Sequence, residues 1–359
     1  MTRLELDRRA FLLGVGASIS TSILPTGVSA KAFKEDVIFA SGFREKDGSF
    51  GLALLSEAGN ILYKHKLPER GHGLASNLRS QWAIIFARRP GNFALAFDPN
   101  NAKEPRLFTT PTNRHFYGHG VFSTNGKLLF ASENDFDKGD GIIGIYDVTD
   151  GFNRIGEFSS AGIGPHEIIM LPDGKTLCVA NGGIKTHPQF PRTKLNLETM
   201  RSNIAFIDVV SGAIKEVHQL PTTWSLLSMR HMASDKNGNV WLGGQYEGNA
   251  FDQAPLIAKV SFGNPLEFIN LPAKQMIGFK NYIGSVSIND NKGAVALSSP
   301  KGGQVLVLNS VNGDIIHSHF DAGVCGLAPL QNKFVKSSEN GRFGSIEHQL
   351  NWDNHIGLI

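Results

Sequence analysis

The chain has 359 residues, 41% of them hydrophobic and 19% charged, with 40 glycines and 16 prolines. That balance excludes disordered and collagen-like classes and leaves ample apolar material for a core. The formal net charge is +3 and no basic stripe with interleaved aromatics occurs, so nucleic acid is not an expected partner.

From the N-terminus, Asp7-Arg8-Arg9-Ala10-Phe11-Leu12-Leu13 sets two adjacent arginines before a weakly apolar stretch, and Val28-Ser29-Ala30 supplies small residues for cleavage. This pattern resembles a twin-arginine signal over residues 1–30, a Sec signal being the alternative. The stretch from Phe11 to Leu24 is too short and too polar for a membrane span. The expectation is therefore a periplasmic protein whose mature chain, residues 31–359, is one domain with no stable span.

Beyond residue 34 the chain is a series of short runs of Val, Ile, Leu, Phe and Ala, broken at turns such as Asn125-Gly126, Asp173-Gly174, Asn237-Gly238 and Asn312-Gly313. Run starts overlay as Gly71-His72-Gly73-Leu74, Gly118-His119-Gly120-Val121, Pro165-His166-Glu167-Ile168 and Arg230-His231-Met232-Ala233, with their histidines 47, 47 and 65 residues apart. The longest interval contains a polar insertion, Lys185 to Arg201, whose removal restores a blade-sized period. Gly284-Ser285-Val286 and Val324-Cys325-Gly326 continue the series. Each start is followed by a second apolar run, as in Trp82-Ala83-Ile84-Ile85-Phe86, so the repeating unit is a small antiparallel sheet.

The run Val37-Ile38-Phe39-Ala40 has no start before it, whereas Asn354-His355-Ile356-Gly357-Leu358 at the far end reads like Gly71-His72-Gly73-Leu74. The fold expected is all-β: a seven-bladed β-propeller closed by the C-terminal strand joining the first blade, which leaves no open edge. The last blade is short, with three strands or an outer strand borrowed from Lys31 to Asp36.

In a propeller the first strand of each blade lines the central channel. The ring of equivalent positions reads His355, His72, His119, His166, His231, Ser285, Cys325, drawing five of the twelve histidines to one axis. Imidazole suits iron, copper, zinc and nickel, whereas calcium and magnesium take oxygen. The ring is expected to hold a transition metal, with His72, His119, His166 and His231 as the main ligands and His355 next. Cys325 is either a thiolate ligand or a small buried residue, and a water-filled polar plug of histidines is the alternative to a metal. Arg88, Glu133, Asn181 and Gln245, at the ends of second strands, are expected on the same face. There they would orient imidazoles or line a mouth for an anion or carboxylate, unless they are ordinary strand-end residues.

Glu167 follows His166 directly and should point to the other side of its strand. Glu133, Asp135, Asp137 and Asp140 have the alternate spacing of a calcium loop but lack its glycine and distal glutamate, so a solvated turn is expected. His65, His187, His218, His317, His319 and His348 fall outside the register and are expected on the surface. Cys178 and Cys325 form no disulfide framework, although a single bridge stays open. Gly-x-Ser-x-Gly, phosphate-loop, His-Glu-x-x-His and Cys-x-x-Cys-His motifs are absent.

Arg88-Arg89-Pro90-Gly91, His115-Phe116-Tyr117-Gly118-His119-Gly120, Gly162-Ile163-Gly164-Pro165-His166-Glu167, Ala180-Asn181-Gly182-Gly183, Ser228-Met229-Arg230-His231 and Trp352-Asp353-Asn354-His355 resemble a bacterial domain-of-unknown-function family. The resemblance covers nearly all of the mature chain. It implies twin-arginine-exported seven-bladed propellers, often encoded near imelysin-like and haem-containing proteins of an iron-uptake type, and it carries over no catalytic role. The expected function is a periplasmic metal-binding propeller in iron or copper acquisition or handling, with zinc as a further candidate ion and other periplasmic metal-uptake proteins as candidate partners. A metal-dependent oxidoreductase using the same site and a metal-free protein-interaction propeller are the competing readings.

Overall fold

The computed structural model describes residues 36–190 and 193–359, so the expected signal segment lies outside the described residues. Six four-stranded antiparallel sheets and one five-membered sheet follow one another along the chain. The inner strands of blades 2 to 7 are Gly71–Asn77, Arg114–Phe122, Pro165–Met170, Leu227–Ser234, Ser285–Asn289 and Val324–Leu330. Every one contains the run start read from the sequence, and successive inner strands are neighbours around the ring.

Blade 1 is assembled from both ends. Phe39–Arg44, Phe50–Leu55 and Ile61–Leu67 come from the N-terminal side. The innermost position is taken by Asn351–Trp352 and Gly357–Leu358, with Phe43 opposite Trp352 and Ala40 opposite Gly357. The seven-bladed fold closed through the C-terminus is thus observed. The last blade needs no borrowed strand, because Arg342–Phe343 and Ile346–Glu347 supply its third and fourth members.

Burial follows from how the blades stack. Second strands such as Trp82–Ala87, Thr176–Asn181 and Ala294–Ser299 are buried at every residue, since both faces are covered by neighbouring sheets, and their sequences are accordingly continuous apolar runs. The fourth strand Asn153–Ser159 alternates in exposure, as expected of an edge with one wet face. His65, His218, His317 and His319 lie on such fourth strands, away from the axis. The insertion between Asn181 and Asn203 adds no strand among its described residues, and the one α-helix described is the short Ala273–Gly278. No helix among the described residues is long and apolar enough to cross a membrane.

Candidate metal centre

Strand register explains how the ring histidines turn toward the axis. Blade 2 has one extra residue on its inner strand between Gly71 and Leu74, blade 3 two between Phe116 and Gly120, blade 4 His166 itself between Pro165 and Glu167, and blade 5 Arg230 between Met229 and His231. Blade 7 is bulged between Val324 and Leu327, and the closing strand of blade 1 is interrupted between Trp352 and Gly357. A bulge leaves residues unpaired, bends the strand and re-aims side chains. Blade 6, where Ser285 occupies the ring position, keeps an unbroken register. Every ring histidine therefore lies in or beside a bulge.

The bulges bring His72, His119, His166, His231 and His355 together into one cluster. Ring centroids stand 4.5 Å apart for His72 and His355, 4.7 Å for His166 and His231, 4.8 Å for His119 and His355, and 5.1 Å for His72 and His119. Two triads, His72/His119/His355 and His119/His166/His231, each offer three nitrogens within 4.8 Å of one another, and His119 belongs to both. Ligands about 2.1 Å from a tetrahedral ion stand about 3.4 Å apart, so small side-chain rotations would suffice to close either triad.

The nitrogens of these rings are unlike those of a structural histidine. His115 is equally buried, yet its Nδ1 donates to the Phe116 carbonyl at 2.8 Å and its Nε2 accepts from Asn134 at 2.9 Å. On the axis, His119 Nε2, His166 Nδ1 and His355 Nε2 are buried without a hydrogen-bond partner. Carboxylates stand behind three of the rings. His72 Nδ1 meets Asp353 Oδ1 at 2.9 Å, and Glu167 lies 3.7 Å from His119 Nδ1 and 3.4 Å from His231 Nδ1. A carboxylate on the outer nitrogen is the support that fixes the orientation of metal-ligating imidazoles.

Glu167 corrects the expectation that it faces away. His166 is the extra residue of the bulge, so the alternation of the strand breaks there and the following carboxylate turns to the same side. The Met232 N–H donates to Glu167 Oε2 at 2.9 Å and holds it in place.

Burial keeps the cluster neutral. It pushes the imidazoles of His72, His119 and His231 down to about 3 and those of His166 and His355 well below the usual range. Burial raises the Glu167 carboxyl, whereas the hydrogen bond from His72 and the charge of Arg70 hold Asp353 below the usual carboxylate range despite its burial. The unfolded chain binds protons on these histidines near pH 6.5, and the folded metal-free chain does not until about 3. Their contribution to stability is complete above about pH 6.5 and is lost as pH falls toward 3, at up to about 1.4 kcal/mol per pH unit for each imidazole. Asp353 adds to the loss at the acid end and Glu167 opposes it. Denaturant midpoints of metal-free protein should therefore fall steeply between pH 6 and 4, and a flat profile there would contradict the neutral cluster.

Two glycines make the crowding possible. A Cβ on Gly73 would lie 2.6 Å from His119 Nδ1, and one on Gly118 would lie 2.7 Å from His72 Cδ2, so each glycine yields space to the neighbouring blade's imidazole. Gly118 also has φ +105°, a region that L residues avoid. Gly118→Ala is expected to cost about 1–3 kcal/mol. Gly263→Ala, at φ +79° with open space around it, carries the strain without the clash, so the difference between the two in chemical denaturation isolates the contact with His72.

The other expected site residues divide. The buried Cys325 thiol points to the Gly323 carbonyl at 3.2 Å, is raised by burial, and belongs to neither triad. Cys178 is also a free thiol, so the cysteines form no bridge. Arg88 adds positive potential at His72, His231 and His355. Gln245 holds the guanidinium of Arg230 at 2.5 Å, beside His231. Glu133 is fully buried elsewhere, accepting from Tyr146 at 2.6 Å and from Arg154 at 3.0 and 3.2 Å, because its strand turns that side chain between sheets. Asn181 is consumed by Ser160 and Asn203. The acidic stretch is no cation cage: Asp135 is paired with Arg114 and Lys138, and Asp137 and Asp140 are exposed. Sequence reasoning missed Asp353, whose only signal is its place two residues before His355, and Glu167, whose bulge leaves no signature.

A family described as "Protein of unknown function (DUF1513)" matches residues 65–359. No curated protein matches the chain. Among solved structures, the chain is similar to the hydrazine synthase of Kuenenia stuttgartiensis, at 11% identity and a TM-score of 0.62, covering 94% of this chain and 99% of that one. It is also similar to the β-propeller domain of Cps50 (Swd1) from Myceliophteria thermophila, at 10% identity and a TM-score of 0.58, covering 85% and 94%. At these identities the likeness is one of fold alone.

Proposed function

We propose that this chain, which belongs to the DUF1513 family, is a metal-binding β-propeller whose axial imidazoles hold a transition-metal ion. One observation carries the reading: five buried, neutral imidazoles form two triads that share His119, and several of their nitrogens have no hydrogen-bond partner. An unsatisfied polar atom in a dry interior costs free energy, and a coordinated cation removes that cost. Neutral imidazole is already in the protonation state that metal binding requires.

Each triad supplies three imidazole nitrogens and His119 belongs to both, a donor set that suits iron, copper or zinc. When bound, the ion supplies charge and, for iron or copper, redox capacity. The chain's own residues hold it through the imidazoles and orient them through Asp353 and Glu167. The Arg8-Arg9 pair supports a periplasmic location, and the role that follows is acquisition or handling of iron or copper, together with other periplasmic metal-uptake proteins.

Elemental analysis of the exported protein, purified without a histidine tag, tests this. Close to one iron or copper per chain is expected. Failure to retain any transition metal, even after incubation with Fe(II) or Cu(II) and desalting, would overturn the reading.

A further inference from the structure

The five axial imidazoles divide into two pairs and a shared member. His72 and His355 come from blades 2 and 1, with ring centroids 4.5 Å apart, and His166 and His231 come from blades 4 and 5, 4.7 Å apart. His119 of blade 3 lies 5.1 and 4.8 Å from the first pair and 5.3 and 5.9 Å from the second. The pairs approach each other to 5.0 Å at His231 and His355, yet these two rings belong to different triads. Each pair also has its own carboxylate, and the two supports are unequal. Asp353 meets His72 Nδ1 at 2.9 Å, a hydrogen-bond distance, whereas Glu167 stays 3.4 Å from His231 Nδ1 and 3.7 Å from His119 Nδ1.

A neutral imidazole carries its lone pair on one ring nitrogen, because the other holds the proton. His119 can therefore complete one triad at a time. Filling both at once would require it to lose that proton and bridge two ions.

We propose that the cluster holds a single ion in either of two three-imidazole positions, and that His119 stays bound while the ion passes between them. This inference rests on the metal reading and deepens it, since the propeller becomes a two-station carrier of its ion. Three protein ligands leave a coordination position open, so an imidazole of one pair can bind before an imidazole of the other departs. Coordination bonds are exchanged one for one, and no electron or proton moves. The closer carboxylate makes His72/His119/His355 the resting position, because support of that kind is worth about 10- to 100-fold in affinity.

Electron paramagnetic resonance of the full-length chain loaded with substoichiometric Cu(II), together with copper titration, tests this. Wild-type protein should show one principal set of copper hyperfine lines. Asp353→Asn, which removes no ligand, should move the ion to His119/His166/His231 and replace those lines with the set given by His72→Asn combined with His355→Asn. Both variants should retain copper at an affinity lowered about 10- to 100-fold. Adding His166→Asn should cost about tenfold more affinity in the Asp353→Asn background than in the wild type, because the second position is then lost as well. If the double histidine variant fails to fold, Asp353→Asn against wild type decides alone. Unchanged lines in Asp353→Asn, or a His166→Asn effect equal in both backgrounds, would overturn the two positions and leave the metal reading standing. Two magnetically coupled copper ions per chain would overturn the exclusive use of His119. Wild-type protein that retains no copper would instead sink the metal reading, and this inference with it.

Discussion

Replacing His119 with alanine is expected to abolish metal retention while leaving the propeller folded. His119 is the one imidazole common to both triads, so no set of three converging nitrogens survives its removal. The loss in affinity should exceed the 10- to 100-fold typical of outer-shell changes, which is the range expected for Asp353→Asn acting through His72. His166→Ala leaves the triad of His72, His119 and His355 intact and should weaken binding less. Metal at about a thousandfold its dissociation constant should stabilise the wild-type chain by about 4 kcal/mol and the His119→Ala chain hardly at all. The metal-free variant should unfold close to the metal-free wild type, because removing an orphaned buried nitrogen offsets the space left behind. Equal metal-dependent stabilisation of the two proteins would show that the ion sits elsewhere.

Trp352→Ala is expected to produce the largest loss of stability of any single change considered, about 3–5 kcal/mol. Trp352 is buried where the C-terminal strand closes the ring, packed edge-on to Phe43 at 6.1 Å and to Phe343 at 5.3 Å, and its Nε1 donates to the Gly341 carbonyl at 3.0 Å. Phe43 belongs to the second strand of blade 1 and Phe343 to the third strand of blade 7, so the indole joins the two ends of the described chain. Asp353 is the next residue, and loosening the strand should also disturb its bonds to His72 and Arg70. Leu78→Ala, at an exposed site, should change stability by less than about 0.5 kcal/mol in the same urea titration. A Trp352→Ala effect as small as that of Leu78→Ala would refute closure through the C-terminus.

The fold was legible because each blade repeats one problem in packing. A second strand covered on both faces must be apolar throughout, and Trp82–Ala87 or Ala294–Ser299 announce this in their composition. The histidines were legible for a related reason, since one position per blade faces the axis. What the sequence hid is the register. Bulges at Gly71–Leu74, Phe116–Gly120 and Pro165–Glu167 depend on pairing with the next strand, and only they reveal that Glu167 turns inward and that Gly73 and Gly118 make room for imidazoles. Glu133 and Asn181 were misplaced because strand-end residues face either the axis or the gap between sheets, and a run of sequence does not distinguish the two. Asp353 and Arg230 stand beside ring histidines, but their chemistry emerges only from contacts across the ring.

X-ray absorption at the metal edge of the loaded, untagged protein tests the convergence of the imidazoles most directly. The expected spectrum has a first shell of nitrogen or oxygen at about 2.0–2.2 Å, multiple scattering from several imidazoles, and no sulfur at about 2.3 Å, since Cys325 stays outside both triads. A first shell with sulfur, or one of oxygens without imidazole scattering, would contradict an ion held by His72, His119, His166, His231 and His355.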